Sequence, residues 1–157
     1  MPTLHPMGTP ITPYGSGDAK KAQVAQMFDN IAHRYDFLNH FFSLGIDKLW
    51  RRKAVRMLLS DGPVEILDVA TGTADFAIEA AGKAPELKVI GVDISAGMLD
   101  IGRTKVARAG QDGRVELVLG DGESLPFEDG RFDAFTVAFG VRNFENLTAG
   151  LKEMQRT

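Results

Sequence analysis

The chain has 157 residues, 44% of them hydrophobic and 25% charged, with a formal net charge of −3. These proportions fit one globular domain rather than a disordered chain, and they provide no basic footprint for nucleic acid. There is no cysteine, which excludes disulfide scaffolds and thiolate metal sites, and no apolar run nears the roughly 18 residues of a membrane span; a cytoplasmic protein is expected.

Residues 1–18 are rich in Pro, Gly and Thr and hold no Lys or Arg, unlike a secretory signal or a basic transit peptide. They read as a flexible leader. From 20 to 31, Val24, Met27, Phe28 and Ile31 recur at helical spacing. The pattern runs on irregularly through the aromatics Tyr35, Phe37, Phe41 and Phe42. Core packing explains that mixture, and so does a cap over an apolar substrate. A second helix is expected over 47–59, with Leu49, Trp50, Lys53, Ala54, Met57 and Leu58 on one face, stopped at Gly62-Pro63. Residues 19–62 thus form an N-terminal helical cap, and 63–157 an α/β domain.

Beyond Pro63, strand and helix patterns alternate. Strands are predicted near 64–69, 87–92, 114–119 and 132–138, and helices near 74–84, 96–109 and 146–156, with Ser95 as N-cap of the second. This spacing means βαβ units in a parallel sheet, with the loops after all four strands on one edge. Four strands make a thin sheet whose last member, FDAFTVAF, is a hydrophobic open edge. The expectation is therefore an incomplete sheet: an N-terminal portion of a longer protein, or a chain that pairs with a second copy as a homo-oligomer.

The stretch VEILDVATGTAD (64–75) organises the rest. A strand runs into a loop of small residues, Ala70 to Ala74, and a helix follows at once. In an open α/β sheet such a loop lies where ligands bind, and small side chains let a ligand approach the backbone. A dinucleotide site wants three glycines and bare amides, but only Gly72 stands here. Acids follow the strands instead: Asp68, Asp75, Asp93, Asp121 and Glu123. Two like charges 4 Å apart repel by roughly 4 kcal/mol at an effective dielectric near 20. Such a rim resists a diphosphate and suits a ligand bearing ammonium and sulfonium groups and ribose hydroxyls, such as S-adenosylmethionine. Any single acid could be an N-cap or a solvated charge; the series at successive strand ends argues for the site.

Four stretches resemble the ubiquinone/menaquinone biosynthesis C-methyltransferase family. YDFLNHFFSLGIDKLW (35–50) resembles its amino-terminal signature, LDVATGTAD (67–75) its cofactor loop, GDGESLPFEDGRFD (120–133) its adenine-side loop, and AFGVRNF (138–144) its F-G-x-R-N motif. The departures are Leu38 for a signature Met, Asp47 for a His, Ala138 where relatives can carry Ser, and fewer glycines at Ala70, Thr71 and Ala74. The family would continue past Arg156 with three more strands.

The resemblance implies a Rossmann-like class I methyltransferase fold with an N-terminal helical cap, S-adenosyl-L-methionine as cofactor, and methylation of demethylmenaquinol or its ubiquinone-pathway counterpart. Gly72 and Thr73 would meet the methionine end and Asp93 the ribose hydroxyls. Asp121 and Gly122 would meet the adenine, with Met98 on its face or simply filling the core, and Asp68 completing the acidic set. The quinol carbon needs a ring hydroxyl to give up its proton, so a group holding the phenolate is required near 139–144. Arg142 and Asn143 are the candidates, and Tyr35, His33 and Asp36 the weaker ones; a surface ion pair for Arg142 and a solvated His33 are the plain alternatives. No metal is implied. An isoprenoid-tailed substrate implies access from a membrane surface, for which the sequence offers the stretch 37–44. Another small-molecule methyltransferase of the same fold, or a non-catalytic cofactor-binding fragment, fits the same residues.

Overall fold

A computed structural model describes residues 20–43 and 46–157, the side chains of 36–43 excepted. The leader at 1–18 and the side chains of the 37–44 stretch lie outside the described residues, as does that of Asp36. Two helices come first, α1 (Lys20–Ser43) and α2 (Ile46–Leu59). Then follow β1 (Glu65–Val69), α3 (Asp75–Lys83), β2 (Lys88–Asp93), α4 (Ala96–Arg108), β3 (Val115–Leu119), β4 (Ala134–Val137), a 3-10 turn over Phe139–Asn143, and α5 (Leu147–Arg156).

The strands are parallel in the order β3-β2-β1-β4. Val69 stands opposite both Val92 and Val137, and Asp93 opposite Leu119, so every strand ends at the same edge. Side chains alternate across the sheet. Ile66 and Val89 point into a layer with α2, α3 and α4, whereas Leu67, Val69, Ile90 and Val92 pack with Leu125 and Met154 of α5 on the other face. Each fully buried aliphatic contributes roughly 1.5–3 kcal/mol. Among the described residues β4 is an outer strand, and its Phe135 is 41% exposed.

Local chemistry sets the ends of the elements. Gly62 at φ +65° and Pro63 close α2. Ser95 caps α4 by accepting from the Met98 amide at 3.1 Å, and Asn146 caps α5 by accepting from Ala149 at 3.0 Å. Helix α1 lies against α4, where Asp29 Oδ1 accepts from the Ser95 hydroxyl at 2.5 Å and from the Gly97 amide at 2.9 Å.

The orientation of α2 differs from the sequence expectation. Its inward side is Val55 with Leu58 and Leu59, while Leu49, Trp50 and Met57 are 64%, 67% and 66% exposed. The helix carries two apolar stripes, and Arg51 selects between them by reaching Asp75 and Glu79 of α3, both at 3.3 Å.

Candidate functional site

The loops after the four strands enclose one cleft, roofed by α1. Its floor is the loop after β1, where Gly72 sits at φ +59° and a Cβ would meet nothing within 4 Å. Ala70 and Ala74 also adopt positive φ, 56° and 66°, so the loop turns sharply with only one glycine in it. The far wall is the 3-10 turn, which approaches so closely that a Cβ at Gly140 would collide with the Ala70 methyl.

Asp93, Asp121 and Glu123 line this cleft with Gly72, Gly122, Met98, Tyr35, Arg142 and Asn143. Asp93 is buried and accepts from the Gly72 amide at 2.8 Å and the Ser95 amide at 2.9 Å. Burial pushes its carboxyl above the ordinary range, and those amide donors partly oppose the shift. Asp121 accepts from the Glu123 amide at 2.9 Å. Glu123 in turn accepts from the amides of Glu145 and Asn146 at 2.7 and 3.1 Å, holding the start of α5 to the rim.

Two of the residues expected at the ligand stand behind the wall. Asp68 is buried at the end of β1, where Thr71 and Thr136 each donate a hydroxyl to it at 2.7 Å. Its carboxyl is pushed up to about 6, chiefly by burial. It ties the loop after β1 to β4. Thr73 is buried too, and its hydroxyl accepts from Lys105 at 3.1 Å. Asp75 turns away into ion pairs with Lys105 and Arg51. His33 is exposed on α1.

Sequence reasoning missed α1's first turn. The Lys21 ammonium reaches into the acidic rim, 2.6 Å from Asp121 and 3.3 Å from Glu123, and those partners raise its pKa, Asp121 most. The Lys21 amide donates to Glu145 at 3.0 Å, and Lys20 donates to the Phe144 carbonyl at 3.2 Å. Nothing local in a Lys-Lys pair signals a partner about a hundred residues away. Phe28, edge-on to Tyr35 at 6.1 Å, and Phe144 complete the apolar lining. Arg142 lies over the Phe139 ring at 5.7 Å.

A model of the ubiE/COQ5 methyltransferase family matches residues 16–157. The chain belongs to that family. The demethylmenaquinone methyltransferase of Bacteroides fragilis is 53% identical over 146 residues, which cover 93% of this chain and 60% of that protein. The ubiquinone/menaquinone biosynthesis C-methyltransferase UbiE of Geotalea daltonii is 45% identical over 138 residues, 87% of this chain and 59% of that protein. The chain thus spans about three-fifths of the length of these relatives. In fold it is similar to a SAM-dependent methyltransferase from Thermotoga maritima, with a TM-score of 0.64 and 24% identity over 84% of this chain and 55% of that one. The sheet and its helices are therefore the Rossmann-like methyltransferase fold, with four strands and two helices ahead of them among the described residues.

Proposed function

We propose that the chain is the cofactor-binding part of an S-adenosylmethionine-dependent C-methyltransferase that converts demethylmenaquinol to menaquinol. One observation carries the reading: Asp93, Asp121 and Glu123 gather around a small-residue loop in one cleft. The rim's preference for cations has an internal witness, because the Lys21 ammonium already rests on two of those acids.

S-adenosylmethionine, when bound, supplies an electrophilic methyl on a sulfonium. Asp93 is assigned to the ribose hydroxyls, Asp121 and Gly122 to the adenine with Met98 beneath it, and Gly72 to the methionine end. Thr73 acts by fixing the loop backbone, and Asp68 from behind it. A quinol carbon becomes nucleophilic only as a ring hydroxyl gives up its proton. The Arg142 guanidinium, with Asn143 beside it, is assigned to hold that oxyanion, and Tyr35 to orient the hydroxyl. Phe28 and Phe144 shield the cleft from water, which strengthens each of these interactions. The isoprenoid tail of the quinol calls for work at a membrane surface; among the described residues no helix is long and apolar enough to cross one.

Because the chain covers about three-fifths of its relatives' length, a second reading is a cofactor-binding unit without turnover. Calorimetric titration with S-adenosylhomocysteine, followed by a methyl-transfer assay on demethylmenaquinol, amines and small phenols, tests both. The expected result is binding, with transfer to the quinol above all. Binding without transfer assigns the second reading, and Arg142→Ala with full turnover removes that residue's role. Preference for a dinucleotide over the adenosyl ligand overturns the proposal.

A further inference from the structure

Helix α2 buries one side and displays the other. Val55 is 1% exposed and faces the core. At about 100° per residue, Ile46, Trp50 and Met57 stand roughly opposite it. These three and Leu49 are all more than half exposed, as one stripe along the outer face. Single exposed apolar residues need no explanation, but a contiguous stripe marks an interaction surface.

Charge indicates what meets it. In a chain of net charge −3, this one helix holds five cationic residues, Lys48, Arg51, Arg52, Lys53 and Arg56, against one acid, Asp47. Arg51 is turned inward to α3, and Arg52 also reaches Glu79 of α3 at 3.6 Å while staying largely exposed. Arg52 and Arg56 flank the stripe, Lys53 lies within it, and Lys48 is exposed on the Val55 side. The Lys53 ammonium lies 5.9 Å from the Trp50 ring centre, as a lysine does when its stem runs along apolar surface toward a polar boundary. A second copy docked stripe to stripe would bring these like charges together. A nucleic acid would satisfy the cations and leave four apolar side chains in water. An anionic bilayer satisfies both, taking the apolar face into the acyl boundary, the indole at headgroup level and the cations among the phosphates.

We propose that the outer face of α2, centred on Trp50, docks the protein on an anionic lipid surface. The proposal rests on the lipid-quinol reading for its purpose only, since docking is measured apart from cofactor binding and turnover. Trp50 is the chain's one tryptophan, so its emission reports the docked face directly. The chain is titrated with phosphatidylglycerol/phosphatidylcholine vesicles and with pure phosphatidylcholine vesicles. The expected result is a blue shift with the anionic vesicles, quenched by lipids brominated near the headgroup and weakened by high salt. Pure phosphatidylcholine should bind at least tenfold more weakly. Arg52→Gln/Arg56→Gln should weaken partitioning roughly 30-fold, from two lost cation–surface attractions. Leu49→Ser/Met57→Ser should abolish the shift with circular dichroism unchanged, because neither side chain is buried. An unshifted Trp50 with anionic vesicles overturns the proposal. So does an emission already blue in lipid-free solution, whether sedimentation then shows a second copy on the face or a monomer in which another segment covers it. S-adenosylhomocysteine titration of the same sample shows independently whether the cofactor reading stands.

Discussion

Burial at Asp68 has a thermodynamic consequence. The folded protein holds this proton up to about pH 6, whereas the unfolded chain releases it near 3.8. The folded value is the higher, so its contribution to stability is complete below the unfolded value and is lost as pH rises through about 6. The loss by pH 8 is about 3 kcal/mol. Asp68→Asn keeps an acceptor for one threonine and gives a donor to the other, whose hydroxyl can reverse. Urea unfolding at pH 5 and pH 8 should therefore show a gap about 1.4 kcal/mol narrower in the variant. An unchanged gap would place the titration elsewhere. The two left-handed alanines should behave differently under substitution. Ala70 is half-buried, so Ala70→Gly relieves backbone strain and should stabilise by about 1 kcal/mol. Ala74 is fully buried, and Ala74→Gly forfeits about 0.8 kcal/mol of methyl burial, leaving it near neutral. Thermal or urea unfolding of the two variants decides.

Helices carry the next level of the design. Asp29 of α1 caps the start of α4, satisfying the Gly97 amide and orienting the Ser95 hydroxyl that accepts from Met98. One carboxylate thus joins the roof of the cleft to the helix beneath it. Asp29→Ala should cost about 1–2 kcal/mol and speed hydrogen exchange along α1, while Asp29→Asn should recover most of the loss. Equal exchange in all three would show that α1 is held by its other contacts. Strands were the legible elements, because short β-rich runs such as EILDV and KVIGVD carry an acid at or next to the last residue, and the parallel topology brings these acids to one edge. Ser95 as a cap was legible for the same local reason. The facing of α2 was not, since two apolar stripes share one helix and only the distant pairing of Arg51 with α3 selects between them. The reach of Lys21 into the cleft was also hidden, because nothing adjacent in the chain encodes it.

At the scale of the whole molecule the cleft joins every layer, with α1 above, the sheet edge below and the start of α5 alongside. A ligand seated there holds these parts together and should stabilise the entire fold. Of the residues named for the cofactor, Gly72, Asp93, Met98, Asp121 and Gly122 share that cleft. Asp68 and Thr73 stand behind it because each hydroxyl or carboxylate is bonded within the protein. Position along a strand end was readable from sequence; which side of the loop a side chain takes depends on partners such as Thr136 and Lys105. S-adenosylhomocysteine at 100 times its dissociation constant adds about 2.7 kcal/mol to the folded state. For a chain of this size that raises Tm by roughly 5–10 °C. Asp93→Asn should remove half or more of this gain by weakening binding roughly 10- to 100-fold, the loss expected of a charged hydrogen-bond acceptor. The ligand-free Tm of that variant should fall, because a side-chain amide can accept from only one of the Gly72 and Ser95 amides and a backbone N–H cannot reverse. Differential scanning calorimetry of both proteins with and without ligand separates the two effects. A fall in the ligand-free Tm with the ligand shift intact would make Asp93 a structural residue and leave the ribose without its anchor.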